Sequence, residues 1–389
     1  MESNIPKIVF TIIFLVLFFL SSVALCAPPQ MAKLIESWEL LSFPTGNNEH
    51  MNISGLTMVA GSGGMVVGAD ELSHIHILQR IDGKTFKLME DGTIPLSPGE
   101  TELDIEGVAG FDNFIWVIGS HSLSRKSIRT PQELKGKADK KKKNGKSLSR
   151  SYNRDRFETI KVEPSREWLY RLEVKDNGAV ERGTIVRGSL RDIFANHPVL
   201  SRFCNIPSKE NGLDIEGLAV VQKKRKKSSH LLVGLRGPVL QGAFAVVLKV
   251  SVKDGTGMSN KPILDVKLKD TYYLSLDGRG IRGMSSMGSK AGDGYLILAG
   301  PVGGAPVSYT LYHWNGADTI PEIDSLDAQQ NLTELCQIPV TDAALRGKPE
   351  GVHFLSEENG VVSFLIVYDS VANGAPGLFT CRLDGSVVK

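Results

Sequence analysis

Apolar residues in this chain fall in short runs, each stopped by Gly, Pro or Asp. Trp38–Phe43 ends at Pro44, and Ile53–Val59 and Gly64–Gly68 follow. His74–Ile81 stops at Asp82-Gly83, and Thr85–Met89 stops at Asp91-Gly92. Runs of strand length separated by turn residues predict an all-β fold. The pattern continues through Phe114–Gly119, Trp168–Val174, Leu231–Gly234, Phe244–Val252, Tyr295–Gly300, Tyr309–Trp314, Val361–Tyr368 and Leu378–Leu383.

One phrase recurs within this pattern. Leu103–Val108 and Leu213–Leu218 both read L-D-I-E-G-hydrophobic, and degenerate copies sit at Ile53–Leu56, Ile281–Met284 and Lys348–Val352. Their glycines, at 55, 107, 217, 283 and 351, each open an apolar run. Five such strands, each followed by two or three more, predict a β-propeller whose first strands line a central channel. The outer strands are expected at Thr85–Met89, Leu200–Ile206, Ile263–Leu268 and Thr333–Ile338, which is four for five blades. The unmatched Trp38–Phe43 would close the last sheet from the N-terminus. The count gives five blades, or six if residues 180–200 hold a further sheet. A β-sandwich with long loops is the competing fold, and it explains the repeated phrase less well.

The N-terminus changes the picture of location. Lys7 precedes the apolar run Ile8–Leu20 and the small-residue stretch Ser21–Cys26. Thirteen apolar residues suit a signal peptide over 1–26 rather than a span, which needs roughly 20. An exported, periplasmic or extracellular protein is expected, with 27–389 a single propeller domain and no transmembrane helix after cleavage. An uncleaved anchor is the lesser reading. The three remaining cysteines, Cys204, Cys336 and Cys381, leave two options open: one pair with a free thiol, or three thiols.

The formal net charge of +2 conceals a division. Residues 122–166 carry 15 Lys/Arg against 5 Asp/Glu, a surplus of +10, and Lys223–Lys227 add +5, so the remainder stands at −13. The 122–166 insertion has almost no apolar periodicity and is expected to be disordered. With 223–227 it is a candidate contact for an anionic ligand or surface. It lacks the interleaved aromatics of a single-strand nucleic-acid site.

In a propeller the phrase gathers Asp104, Glu106, Asp214, Glu216 and Glu350 at one mouth of the channel. Asp70, His121, Arg236 and Asp369, at the ends of second strands, reach the same rim, and the 122–166 insertion overhangs it. Clustered carboxylates need a cation, protons or arginines. Oxygen-only ligands favour Ca²⁺ or Mg²⁺, so those five acids are the candidate metal ligands, with Asp70, Arg236 and Asp369 lining a ligand site. Equally, glutamates before glycine can fasten one blade to the next. His74 and His76 share a strand face that is expected to be exposed. No P-loop, G-x-S-x-G or H-E-x-x-H motif is present.

The segment Leu213–Ala219, then Leu231–Pro238 with its G-L-R-G-P, resembles an uncharacterised bacterial domain-of-unknown-function family with the pattern D-x-E-G-L-A…G-L-R-G-P. The resemblance runs from about Ile53 to the C-terminus. The shorter D-x-E-G phrase is also similar to phytase-like esterase and lactonase-type calcium propellers. That similarity implies metal or substrate ligands at Asp104, Glu106, Asp214, Glu216 and Glu350. Ser54 and Arg282 break the pattern in two blades, which implies a lopsided site. The reading is a propeller with a cation-binding mouth, working as a hydrolase of phosphate esters or lactones or as a binding module. As a hydrolase, its metal would activate water, Arg236 would hold the anion, and His121 or Glu216 would move the proton. The alternative is a non-enzymatic envelope or extracellular protein that binds through its propeller faces and basic loops.

Overall fold

The computed structural model describes residues 30–43, 52–97, 99, 102–175, 177–221, 229–257, 261–288, 294–303, 307–340 and 347–385. The expected signal peptide and the basic stretch Lys223–Lys227 lie outside these residues.

Five antiparallel sheets stand in a ring, giving a five-bladed β-propeller. The inner strands are Ile53–Met58, Ile105–Phe111, Asp214–Val221, Gly280–Ser286 and Lys348–Glu358, numbered here as blades 1 to 5. The apolar core is five separate wedges, one between each pair of neighbouring blades. Second strands feed two wedges at once. Trp116 and Ile118 face blade 3, whereas Ile115 and Val117 face blade 1. Burial on both faces explains why these strands read as continuous apolar runs rather than alternating ones.

The inner strands approach closely at the repeated glycines. A Cβ on Gly107 would stand 2.7 Å from the Leu218 Cβ of blade 3, and one on Gly283 would stand 2.8 Å from the Glu350 carbonyl oxygen of blade 5. The glycine of the phrase is therefore a packing requirement between blades.

Three sequence expectations are corrected. Lys33–Ser37, not Trp38–Phe43, completes blade 5 by pairing with Gly377–Arg382, and Glu39–Leu41 instead adds a parallel strand to the outer edge of blade 1. The switch falls at Trp38, which is buried and stacks on Phe86 at 5.3 Å, turning the chain from one blade to its neighbour. The outer strand of blade 2 is Val186–Gly188, while Leu200–Phe203 forms a 3₁₀ turn. Leu190 and Phe194, at the start of and within the short helix Arg191–Asn196, and Leu200 in the following 3₁₀ turn fill the wedge between blades 2 and 3, so residues 180–200 hold no sixth sheet.

The insertion, expected to be disordered, carries a two-stranded ribbon (Ser124–Arg125 with Ile160–Lys161) and helices α1 (Pro131–Lys143) and α2 (Tyr152–Glu158). A capping box starts α1. The Thr130 hydroxyl accepts from the Glu133 N–H, the Glu133 carboxylate accepts from the Thr130 N–H, and Pro131 opens the first turn. That local signal stabilises a helix where composition alone argued against one.

A disulfide joins Cys336 in the outer strand of blade 4 to Cys381 in blade 5, and Cys204 is free. Among the described residues no helix is long and apolar enough to cross a membrane.

The glycine contacts predict the result of a minimal test. Gly107→Ala should cost about 1–3 kcal/mol through overpacking against Leu218, read as a lower urea midpoint at unchanged m-value. A midpoint equal to that of the parent would show that the inner strands do not press together there.

Candidate functional site

In every inner strand the pairing register slips around the residue before the glycine, between Ile53 and Gly55, Ile105 and Gly107, Ile215 and Gly217, Ile281 and Gly283, and Pro349 and Gly351. The extra residue of each β-bulge is therefore Ser54, Glu106, Glu216, Arg282 or Glu350. The repeated phrase is a bulge that delivers one side chain per blade to the channel, followed by the glycine that lets the blades meet.

Arg282 joins this ring together. Its guanidinium donates to Glu216 Oε1 at 3.0 Å, forms an ion pair with Glu216 Oε2 at 2.9 Å, and donates to Glu350 on its other side. Arg282 is 4% exposed and Glu216 3%, so the triad spans blades 3, 4 and 5 with almost no solvent. Ser54 completes the ring differently, its hydroxyl donating to the Ile105 carbonyl of blade 2. Arg236, at the end of the second strand of blade 3, forms ion pairs with Asp214 and, at 2.6 Å, with Glu216. Burial alone would lower its basicity, but Asp214 and Glu216 raise it above the usual arginine range.

The rim above blade 2 has its own arginine. Arg166, the last residue of the insertion, is buried and pairs with Glu102, with Asp104 at 3.0 Å and with Glu163 at 2.9 Å. The Ser120 hydroxyl also donates to Asp104. Asp104 (φ 53°) and His121 (φ 54°) both hold left-handed backbone conformations, which non-glycine residues adopt at a cost. Lys348 pairs with Asp369 at 2.9 Å.

The expected site residues thus converge on one mouth, but most of them are already engaged. Asp104, Asp214, Glu216 and Glu350 are held by arginines, and Arg236 is held by two of those acids. His121 lies 3.0 Å from the Gly119 carbonyl through Nδ1, and its Nε2 accepts from the Leu190 N–H at 3.3 Å. Burial lowers it to about 4, so it is a neutral staple between backbone segments. Two acids differ from the rest. Among the described residues Asp70 and Glu106 have no ion pair. Asp70 Oδ1 is buried without a hydrogen bond, and Glu106 stands in the ring beside a narrow constriction lined by Glu216 and Glu350.

Electrostatics set these two apart further. Burial, then the charges of Glu350, Asp104 and Asp369, pushes the Asp70 carboxyl up to about 8. Burial and then Glu216, Asp104 and Glu350 push Glu106 well above the carboxylate range. Burial also raises Glu350 to about 8 and Glu216 to about 7, against the pull of Arg282 on both and of Arg236 on Glu216. The pair His74 and His76 is not on an exposed face. His76 is 1% exposed and packs edge-on against Phe43 at 5.0 Å.

Sequence reasoning missed Arg166 and Arg282 as partners. Arg282 was visible only as a departure from the phrase, and Arg166 only as one more cation in a basic run.

The family model described as "Protein of unknown function (DUF3616)" matches residues 52–375. The chain belongs to this family. No curated protein sequence matches it. Among solved structures, the chain is similar to an exo-β-1,3-galactanase from Phanerochaete chrysosporium at 11% identity and a TM-score of 0.40. The match covers 92% of this chain and 65% of the galactanase, so the chain spans less than two thirds of that enzyme. An N-acetylgalactosamine deacetylase from F. plautii matches at 9% identity and a TM-score of 0.43, over 90% of this chain and 94% of that one. The Cps50 (Swd1) β-propeller domain from Myceliophteria thermophila matches at 6% identity and a TM-score of 0.34, over 90% and 99%.

Two outcomes follow from the paired ring. Arg282→Ala strands Glu350 in a buried site, leaves Glu216 to Arg236 alone, and should cost about 3–5 kcal/mol. Adding Glu216→Gln and Glu350→Gln should recover part of that loss in urea melts, whereas no recovery would mean that Arg282 acts through packing alone. The unfolded carboxyls titrate near 4, and Asp70 near 8 in the fold. The stabilising proton is therefore fully in place below about 4 and is lost as pH rises through 8. In EDTA the melting temperature should fall from pH 6 to 9, and Asp70→Asn should flatten the fall. A flat parent profile would contradict it.

Proposed function

We propose that this protein is an exported propeller that binds a divalent cation, Ca²⁺ or Mg²⁺, at its acidic channel mouth. The observation that carries the reading is the excess of acid there. Asp70, Asp104, Glu106, Asp214, Glu216, Glu350 and Asp369 meet only Arg166, Arg236, Arg282 and Lys348 among the described residues. Asp70 and Glu106 are the acids left without a basic partner.

A cation shared by all of Asp104, Glu106, Asp214, Glu216 and Glu350 does not fit, because arginines hold every one of them except Glu106. Among the described residues no three Asp, Glu, His or Cys side chains are grouped as a metal site; the donors that would have to turn toward an ion are Asp70, Glu106 and the Glu350 oxygen that Arg282 does not hold, all hard oxygen donors suited to Ca²⁺ or Mg²⁺. When bound, such an ion would supply positive charge to the mouth. The chain itself contributes a rigid frame, since Arg282 and Arg236 fix the neighbouring carboxylates.

Binding is better supported than turnover. Of the groups expected to act in hydrolysis, Arg236 is taken by Asp214 and Glu216, His121 has both ring nitrogens engaged with backbone, and Glu216 sits between two arginines. Export is supported by the apolar leader-like run at 8–20 and by the Cys336–Cys381 disulfide, a bond that persists in oxidising compartments.

Calorimetric titration with CaCl₂ and with MgCl₂ tests the reading. Saturable binding is expected, with a rise in melting temperature over the EDTA-treated protein, and both should be lost in Asp70→Asn/Glu106→Gln while that variant keeps its fold. Binding that survives the double substitution, or none at all in the parent, would reject this site.

A further inference from the structure

We propose that the 122–166 insertion is a docking arm for an anionic lipid surface. The arm is held firmly to the propeller. Arg125 pairs with Glu210 at 3.0 Å and the Ser208 N–H donates to the Leu123 carbonyl at 2.9 Å, while within the arm the Asn153 side chain bridges the Arg129 backbone by bonds of 2.9 and 2.8 Å. Arg166 anchors its far end to Asp104.

Having been built and anchored, the arm contributes nothing to the core. Neither α1 nor α2 buries a single residue. A helix that is polar all round gains little stability from packing. Its last turn is Lys140–Lys143, and no lysine between 135 and 146 pairs with a carboxylate among the described residues, although the rest of the chain is strongly acidic.

The same arm exposes large apolar side chains. Ile128, Phe157 and Val162 are each 59% exposed and Ile160 is 38% exposed. Lysines with exposed Phe, Ile and Val are the two components that hold a protein at a membrane interface, charge toward anionic headgroups and apolar side chains into the acyl boundary. A nucleic-acid backbone would use the lysines but gives the aliphatic residues nothing to bury. Tyr152, the arm's other aromatic ring, stands between Lys137 and Arg156 rather than open for stacking on a base. Docking through this arm would bring the channel mouth alongside the lipid, because Arg166 belongs to both.

Vesicle co-sedimentation of the full chain tests the proposal, with phosphatidylcholine alone and with added phosphatidylglycerol. The N-terminal apolar run would act on both vesicle types, so the difference between them reports the arm. Anionic vesicles should be preferred at low salt. Lys140→Gln/Lys141→Gln/Lys142→Gln/Lys143→Gln should lower that preference at least about tenfold. Phe157→Ser/Ile160→Ser should weaken vesicle binding while leaving heparin binding unchanged, with melting curves confirming the fold of each variant. Equal partitioning into both vesicle types, or binding indifferent to both sets of substitutions, would overturn the proposal. So would binding that follows the lysines alone on vesicles and heparin alike, since that marks a soluble polyanion site.

Discussion

Five backbones must pass one another closely around one axis, and nearly everything in this structure answers to that constraint. The glycine at each crossing removes the side chain that would hold the strands apart, as the 2.7 Å approach of a Gly107 Cβ to Leu218 illustrates. The bulge just before each glycine then forces the preceding side chain into the channel. Packing thereby fixes where that residue points but leaves its chemistry open. The ring reads Ser, Glu, Glu, Arg, Glu around the blades. Three carboxylates alone in so dry a ring would be very costly, and the single arginine among them turns repulsion into a bridge from blade 3 to blade 5.

Much of this was legible in the chain. The repeated phrase located the inner strands, their glycines and five of the acids, because repetition signals geometry even when no alignment is at hand. What the phrase could not convey was pairing. Arg282 read as a gap in a row of acids, yet it stands where a glutamate would be and is the cation that those acids need. Arg166 lies 62 residues beyond Asp104 in the sequence, and nothing local separates it from the other basic residues of the insertion. The misplaced outer strand has a similar cause. Three residues, Val186–Gly188, carry too little periodicity to compete with the apolar run at 200–206, which packs instead as a turn. The helix α1 was obscured by composition, although its capping box was written in Thr130, Pro131 and Glu133.

The arrangement of charge also decides what the mouth can receive. Arginines often serve propellers and other folds as clamps for anionic groups, but a clamp requires free donors. Here the terminal nitrogens of Arg166, Arg236 and Arg282 are each shared between two or three carboxylates, and the one donor left over on each, Nε, is buried away from the mouth's solvent. An anion approaching the mouth would have to displace one of those acids and would still meet the field of the others. A cation meets the opposite situation, since among the described residues Asp70 and Glu106 have no basic partner, and burial with neighbouring acids raises both carboxyls.

The two ends of the charge division then become complementary rather than contradictory. Anionic surfaces gather divalent cations in the layer of water next to them, within roughly a Debye length of about 8 Å at physiological salt. A basic arm rooted beside the acidic mouth would hold that mouth inside this layer, against the repulsion its own carboxylates would otherwise suffer there. Charge kept apart along one chain in this way would let a single protein approach a negative surface and still present a negative cavity to the cations held there.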